Sequence, residues 1–190
     1  MWQVNPIICA KVKEFSGRIY KAKDFLEIVH LVDLDGAFID DEQVQIKTGK
    51  EKADPKNSSK PYYAKEYIYC NSPENIKKRN KRKRRILDKM ILLSKIWRSI
   101  PYSTYYFSCN LDHVIHNNAN MFDCDKYAYA NKFEDKFANN PHGVIEFLQN
   151  EEITIAMDYS ESWNFVKTGT NSLKRSTNFH LFFTKPKNPR

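Results

Sequence analysis

The sequence contains no apolar run that approaches the roughly 18 residues of a membrane-spanning helix. Its start also lacks the basic segment and the long apolar core of a signal peptide. Cysteine is scarce and includes no C-x-x-C pair; the four cysteines are Cys9, Cys70, Cys109 and Cys124. We therefore expect a cytoplasmic protein with reduced thiols and no membrane partner.

Two further signatures of chemistry are absent or incomplete. No G-x-S-x-G elbow is present, so a nucleophilic serine is poorly supported. The residues with the right chemistry for Zn²⁺ are Cys109, His113, His116 and Cys124. Their spacing, C-x3-H-x2-H-x7-C, is not a usual structural pattern. A zinc site and a site of another kind both stay open for this segment.

The positive charge of the chain is concentrated in one place. The sequence has 31 basic and 23 acidic residues, a net charge of +8, and residues 77–85 contain eight of the basic ones and no acid. Subtracting those eight leaves 23 basic against 23 acidic residues, so the rest of the chain is formally neutral. A local cationic segment of this kind favours a nucleic-acid partner, with contacts to phosphate because no aromatic residue interleaves the run. The alternative is a solvated helix end.

One stretch, residues 27–40, concentrates the residues expected to carry chemistry. Its apolar segment Ile28–Val32 predicts a buried strand, and Asp33, Asp35 and Gly36 follow. Because side chains alternate along a strand, we expect both carboxylates to point the same way at its carboxyl end, where open α/β sheets bind ligands. Two like charges there favour a cation between them, and Mg²⁺ or Mn²⁺ suits their oxygen atoms. The alternative is an ordinary Asp-Gly turn.

Alternating strand and helix patterns predict an α/β fold in a single domain over residues 1–190. Residues 47–60 contain almost no apolar side chain, which predicts a mobile loop. We expect the segments on either side of it, Val44–Ile46 and residues 62–70, to pair as a hairpin. Further segments predicted as strands are residues 103–108 and 153–157.

A long helix is predicted to begin at Ser72 and Pro73 and to end near Trp97. Its second half has apolar residues at helical spacing, as a helix that packs on a core does. The basic residues of 77–85 cover every face of the first half. We therefore expect the part over residues 73–85 to project into solvent or onto an anion.

The chain after the strand at 103–108 is expected to be mainly helical. A short helix capped by Ser108 or Asn110 follows that strand. Apolar residues at helical spacing predict further helices across residues 121–178. Residues 185–190 form a polar tail.

Two segments resemble the Toprim family, in particular the RloB-like proteins associated with restriction and phage defence. One is the apolar strand that ends in Asp33-Leu34-Asp35. The other is residues 106–116, similar to that family's strand, S-N-P sequence, acid and apolar helix ending in histidine. The resemblance implies catalytic roles for Asp33, Asp35, Asp112 and His113, with Ser108, Asn110 and His116 as further candidates. It also implies Mg²⁺ or Mn²⁺ at the first two residues and a defence-system partner such as an ATPase. The family's site further uses a glutamate after an earlier strand, for which Glu14 is the only early candidate.

The same acid pair is also similar to the first motif of the haloacid dehalogenase (HAD) superfamily, D-x-D-G-T-hydrophobic. Asp33-Leu34-Asp35-Gly36-Ala37-Phe38 matches it, with alanine in place of threonine. This resemblance implies that Asp33 is a nucleophile and Asp35 a general acid/base. The other residues implied are Ser108 for phosphate, Lys132 or Lys136 for charge stabilisation, and Asp158 for the Mg²⁺ site.

Both resemblances imply a Rossmann-like α/β fold, with a mainly parallel sheet flanked by helices, and chemistry on phosphorus. We favour a Toprim-like nuclease, since it accounts for residues 110–116 and lets the basic segment hold a nucleic-acid backbone. The residues expected to do so are Lys77, Lys78, Arg79, Lys81, Arg82, Lys83, Arg84 and Arg85. The alternatives are an HAD-like phosphatase and a non-catalytic nucleic-acid-binding or partner module with a degraded site.

Overall fold

The apolar segment before Asp33 forms a strand, β1 (Ile28–Asp33), as its composition predicts. Its predicted burial is wrong: none of its residues is fully buried, because β1 lies at the edge of its sheet. A computed structural model describes residues 4–17, 19–49, 51, 59–97 and 99–184. The predicted tail at 185–190 and much of the predicted loop at 47–60 lie outside these residues.

Among the described residues, the strands lie in the first part of the chain and helices dominate the second half. The other strands are β2 (Val44–Ile46), β3 (Tyr62–Tyr63), β4 (Ile68–Cys70), β5 (Lys95–Ile96) and β6 (Ile100–Phe107). The α-helices are α1 (Val4–Phe15), α2 (Pro73–Ile91), α3 (Leu111–His116), α4 (Asp123–Phe137), α5 (His142–Leu148), α6 (Tyr159–Val166) and α7 (His180–Thr184). No helix among the described residues is long and apolar enough to cross a membrane.

The first sheet has the strand order β1-β6-β5 and positions the acid pair. β1 runs parallel to β6, with Ile28 opposite Tyr102 and Asp33 opposite Phe107. β5 pairs with β6 antiparallel. Because β1 and β6 end at the same edge, the residues that follow them, 34–36 and 108–112, come together there.

The second sheet has the order β2-β4-β3 and corrects the predicted pairing. The hairpin forms between β3 and β4, which are antiparallel, whereas β2 joins β4 in parallel. The predicted pairing of β2 with residues 68–70 is therefore present, but it is parallel, and parallel strands cannot be joined by a hairpin turn. Each small sheet thus has one parallel and one antiparallel pair. The α/β class is confirmed, but a mainly parallel, Rossmann-like sheet is not clearly present.

Helix α2 begins at Pro73 as predicted and ends at Ile91, several residues before the predicted end. The chain turns there because β5 follows and pairs with β6. Leu87 of this helix packs into a core cluster with Leu34, Phe38, Tyr106, Trp163 and Val166. The apolar second half of α2 thus fixes the helix against the end of β1.

The basic half of α2 was expected to project into solvent or onto an anion, and one of its faces instead packs on the turn after β1, where it meets the Asp35 carboxylate. Asn80, the single uncharged residue of the run, is 1% exposed, and its Nδ2 donates to the backbone oxygen of Gly36 at 3.4 Å. Arg79 and Lys83 lie on the same side and bind Asp35. A cationic face can pack against protein when each charge meets an acceptor, which the turn after β1 supplies.

The C-terminal part is mainly helical as predicted, but the predicted strand at 153–157 is not formed. Thr154 makes one isolated bridge to Thr177, which also bridges Phe107 at the end of β6. Ile153 is instead buried in a cluster with Phe107 and Val114. Ile153 therefore contributes to the core although this segment does not extend the sheet.

Candidate functional site

Asp33 is the last residue of β1 and is held at the beginning of α3. Its Oδ1 accepts a hydrogen bond from the backbone N–H of Leu111 at 2.9 Å. Asn110 caps the helix as predicted, since its Oδ1 accepts from the N–H of His113 at 2.9 Å. Asn110 also donates to the backbone oxygen of Ala119 at 2.9 Å, which fixes the loop after α3 beside the acid.

Asp35 lies in a tight turn outside the strand, so the predicted alternation of Asp33 and Asp35 along β1 is wrong. Its backbone has a φ of +50°, and its N–H donates to the oxygen of Cys109 at 2.6 Å. Gly36 follows with a φ of +63°, and a Cβ there would lie 2.5 Å from Cδ2 of Leu173. The sequence signal Asp-Gly therefore does mark a sharp turn, and that turn brings both carboxylates into one cavity.

The carboxylate of Asp35 is surrounded by donors from two other segments. Lys83 of α2 forms an ion pair with its Oδ2, and the hydroxyl of Tyr63 donates to its Oδ1 at 3.4 Å. Arg79 donates to the backbone oxygen of Asp35 at 2.7 Å and to the hydroxyl of Tyr63 at 3.2 Å. Burial and the charge of Asp35 raise the pKa of Tyr63, so its phenol stays protonated and acts as a donor.

Asp33 is less well compensated than Asp35. It remains accessible through the cavity, but desolvation and then the charge of Asp35 raise its pKa. The hydrogen bond from the N–H of Leu111 and the charge of Lys83 lower the pKa of Asp33, but by less than the other effects raise it. The pair of acids therefore holds negative charge that a further cation would stabilise.

A cavity of about 280 Å³ joins these acids to residues from five other segments. Its charged lining residues are Asp33, Asp35, Asp112, Lys60, Arg79 and Lys126. Lys126 pairs with Asp112 at 3.2 Å and with Asp123 at 3.6 Å. Carboxylates and cations thus face one space, an arrangement that can hold a metal ion and a phosphate group together.

The cavity offers carboxylate oxygen atoms, the ligands that Mg²⁺ and Mn²⁺ prefer. Among the described residues, no three His, Cys, Asp or Glu side chains are grouped closely enough to hold a metal ion by themselves. Mg²⁺ is commonly bound by one or two carboxylates, with water and substrate phosphate completing its shell. Asp33 and Asp35 fit that mode and would hold such an ion if Lys83 released the carboxylate of Asp35.

The candidate zinc residues do not gather in the part of the chain that the structure describes. Cys109 is buried, and burial raises the pKa of its thiol, which disfavours the thiolate that binds zinc. Cys124 is exposed, and His116 packs its ring against Tyr129 and Phe133. This segment therefore supports α3 and its contacts with α4.

Of the remaining Toprim-like residues, Asp112 and Asn110 line the cavity and His113 does not. His113 faces a second cavity with Lys65 and Arg175, and burial with the charge of Arg175 lowers its pKa to about 4. The hydroxyl of Ser108 donates to the backbone oxygen of Asn171 at 3.0 Å. These two residues have structural contacts, so their predicted roles at the acid pair have no support in the geometry.

The early glutamate and the HAD-like residues are also placed elsewhere. Glu14 pairs with Lys11 on the surface of α1. Asp158 caps α6, where it accepts from the N–H of Glu161 at 2.8 Å. Lys136 lies over the ring of Phe137. None of these side chains lines the 280 Å³ cavity.

The basic run divides between the cavity and the outer surface of α2. Arg79 and Lys83 bind Asp35, whereas Lys81, Arg84 and Arg85 line a cleft with the acidic segment 40–42. The exposed residues of the run are Lys78, Lys81, Arg82 and Arg85. These exposed residues form a cationic surface along α2.

Sequence reasoning missed the residues that close the cavity from the other side. Asn120 accepts from the N–H of Tyr63 and donates to its backbone oxygen, both at 2.8 Å. This clamp connects β3 to the loop after α3 and aims the Tyr63 hydroxyl at Asp35. The signal for it was weak, because an isolated Asn and a Tyr 57 positions away carry no recognisable motif.

In comparisons with known proteins, the chain matched no protein-family model, no curated protein and no solved structure.

Proposed function

We propose that the protein is a metal-dependent phosphodiester hydrolase that acts on nucleic acid, with a divergent Toprim-like site. The observation that carries the proposal is the contact between the acid pair and the basic helix: Arg79 and Lys83 of α2 both bind Asp35. The proposal includes the finer fold assignment, in which the parallel pair β1–β6 is the core of a Rossmann-like arrangement. A role in phage defence with an ATPase partner belongs to the resemblance alone.

The residues of the cavity have separate tasks in this proposal. Asp33 and Asp35 would hold Mg²⁺ or Mn²⁺, which when bound polarises a phosphodiester and lowers the pKa of an attacking water. Arg79 and Lys126 offer cationic donors to the non-bridging phosphate oxygens. Lys83, once it leaves Asp35, is positioned to join them.

The exposed basic face of α2, formed by Lys78, Lys81, Arg82 and Arg85, would position the nucleic-acid chain. These residues are spaced along one face of the helix. Contacts of this kind bind the phosphate backbone without reading its sequence, and they weaken as salt rises because counterions are released on binding. The helix thereby directs one phosphate of a chain to the acid pair.

A non-catalytic nucleic-acid-binding module is the second candidate, and one observation favours it. Lys83 and Tyr63 already donate to the two carboxylate oxygens of Asp35. If Lys83 stays in place, it substitutes for a metal ion and the cavity binds phosphate without cleaving it. The HAD-like phosphatase has less support, because β1 lies at the edge of its sheet and Asp158 caps a helix.

The test is an assay of the full chain on end-labelled single-stranded DNA, duplex DNA and RNA, with Mg²⁺, Mn²⁺ or EDTA. We expect cleavage of at least one polymer that needs the metal and is lost in Asp33→Asn, whose binding is retained. Salt-sensitive binding without cleavage in any metal would support the binding module instead. Hydrolysis of phosphomonoesters without cleavage of polymers would contradict both.

A further inference from the structure

A groove of about 450 Å³ lies between β1 and α2, beside the cavity of the acid pair. The residues that line it, here called the β1–α2 groove, are His30, Val32, Asp33, Arg79, Arg82, Lys83, Ile86, Leu87 and Met90. The α2 members are spaced three or four residues apart, so they form one face of the helix. Val32 and His30 are two apart on β1 and form the opposite wall.

The β1–α2 groove changes from cationic to apolar along its length. Arg79, Arg82 and Lys83 line the end near Asp33, and Ile86 and Met90 line the other end. From Lys83 to Met90 the helix rises by about 10 Å. Ile86 is 37% exposed although it is apolar, so its side chain keeps surface that a ligand could cover.

The groove is continuous with the proposed hydrolytic site. Asp33 and Arg79 line both spaces, one from β1 and one from α2. If a phosphate were bound between Asp33 and Arg79, the group esterified to one of its oxygens would therefore enter the groove. The cationic end of the groove meets the phosphate, and the apolar end meets the attached group.

Beyond Asp33, the wall on β1 is formed by His30 and Val32. The Nδ1 atom of His30 lies 2.9 Å from the hydroxyl of Tyr102, and the two rings meet edge to face at 6.2 Å. Burial lowers the pKa of His30, so its ring is neutral at pH 7. A neutral ring beside aliphatic side chains suits the face of a planar heterocycle.

We propose that the β1–α2 groove binds the nucleoside attached to the scissile phosphate, with the base between His30 and Ile86 and the phosphate at Arg79 and Lys83. The proposal rests on the proposed function, because it names the part of the nucleic-acid substrate that this site recognises. It assigns recognition of the base to contact with its face, without sequence-specific hydrogen bonds.

The test is isothermal titration calorimetry of the full chain in EDTA, so that binding is measured without cleavage. The probes are AMP, inorganic phosphate, ribose 5-phosphate and hexyl phosphate. We expect AMP to bind about tenfold or more tightly than each of the other three, since only AMP combines the anion with a planar base. Binding of hexyl phosphate as tight as that of AMP would overturn the proposal in favour of a site for alkyl phosphates.

Two matched variants locate the binding. Ile86→Ser should weaken the affinity for AMP about five- to tenfold and leave that for inorganic phosphate unchanged. Leu92→Ser removes an 85% exposed leucine at the end of the same helix, outside the groove, and should change neither. Equal effects of both variants on the affinity for AMP would overturn the assignment to the groove. If a variant fails to fold, the affinities of the unaltered chain for the four probes still decide whether the base is recognised.

The outcome is separable from that of the cleavage assay. Polymer cleavage without a preference for AMP over phosphate would remove the groove proposal and leave the hydrolase standing. A preference for AMP that Ile86→Ser abolishes, without cleavage in any metal, would keep the groove and remove the hydrolase.

Discussion

Lys83 forms an ion pair with Asp35, although the two residues are 48 positions apart in the chain. The pair makes the basic helix and the acid-bearing turn parts of one site. Both side chains keep access to solvent, with exposed fractions of 24% and 30%. A pair of this kind contributes about 1 kcal/mol or less, so a divalent ion or a phosphate can compete for its members.

Replacement of Lys83 should therefore strengthen metal binding. In Lys83→Met, Asp35 loses its cationic partner, and we expect the affinity for Mn²⁺ to rise by up to about fivefold, measured by electron paramagnetic resonance of free Mn²⁺. The matched control is Lys81→Met, which removes the same charge from the outer face of α2 and should change the affinity far less. Unchanged or weaker Mn²⁺ binding in Lys83→Met would contradict competition at Asp35.

Asp33 should lower the stability of the fold at neutral pH. Desolvation and the charge of Asp35 raise the pKa of its carboxyl in the folded protein, so the folded state binds the proton more tightly than the unfolded state does. The contribution of Asp33 to stability therefore falls as pH rises from the ordinary carboxyl pKa through the raised one. We expect Asp33→Asn to have a larger free energy of unfolding than the unaltered chain at pH 7, and the difference to shrink toward pH 4.

Urea unfolding at both pH values measures this effect. The amide introduced by Asp33→Asn would keep an oxygen for the N–H of Leu111, so the hydrogen bond is conserved. Asp88→Asn, which breaks a surface pair with Lys167, is the control and should be neutral or slightly destabilising at pH 7. If Asp33→Asn were less stable than the unaltered chain at pH 7, the result would contradict the claim that burial and the charge of Asp35 make ionised Asp33 destabilising.

The parts of the site that the sequence predicts are those encoded locally. The strand before Asp33, the turn at Gly36 and the cap at Asn110 each depend on neighbours within a few residues, and the structure confirms them. The inward face of the basic helix was not predictable in this way. It depends on one buried residue, Asn80, and on acceptors of a turn 44 positions earlier.

Long-range packing also explains why some sequence predictions are not met. The Toprim resemblance implies a catalytic role for His113, but the helix turns its ring toward Arg175 and away from the acids. Residues 153–157 have the composition of a strand, but the sheet offers them only one bridge, at Thr177. Composition indicates what such a segment buries and leaves open which neighbour it meets.

His113 should affect how the free energy of unfolding depends on pH in the acid range, and it should not affect cleavage. Burial and then Arg175 lower the pKa of its ring to about 4, below the ordinary value of 6.5, so the unfolded state binds the proton more tightly. The free energy of unfolding should therefore decrease as pH falls from 6.5 toward 4. In His113→Gln we expect a smaller decrease, together with unchanged metal-dependent cleavage at pH 7.

Urea unfolding at pH 7 and pH 4.5 measures this dependence on pH. His142→Gln replaces an exposed histidine of α5 and should leave the pH dependence of the free energy of unfolding unaltered. Loss of cleavage in a folded His113→Gln would restore this residue to the catalytic set.

The acidic segment 40–42 should weaken the binding of nucleic acid to α2. Asp41 lies 3.6 Å from Arg84, and its neighbours line a cleft with Lys81 and Arg85. We expect Asp41→Asn to bind a single-stranded oligonucleotide about two- to threefold more tightly at low salt, measured by fluorescence anisotropy, with less effect at high salt. Asp135→Asn makes the same change of net charge on the exposed surface of α4 and should have a smaller effect. Equal gains in both variants would show that net charge alone determines binding.

The central claim is that the acids at the end of β1 and the cations of α2 hydrolyse a phosphodiester together. Its most direct test is the rate of Mn²⁺-dependent cleavage of a labelled oligonucleotide by the unaltered chain and by Asp33→Asn, with binding measured in the same samples. The account predicts cleavage that EDTA abolishes and that falls by at least about a hundredfold in Asp33→Asn while binding changes little. Oligonucleotide binding with no cleavage by the unaltered chain, or cleavage that is equal in Asp33→Asn, would contradict it.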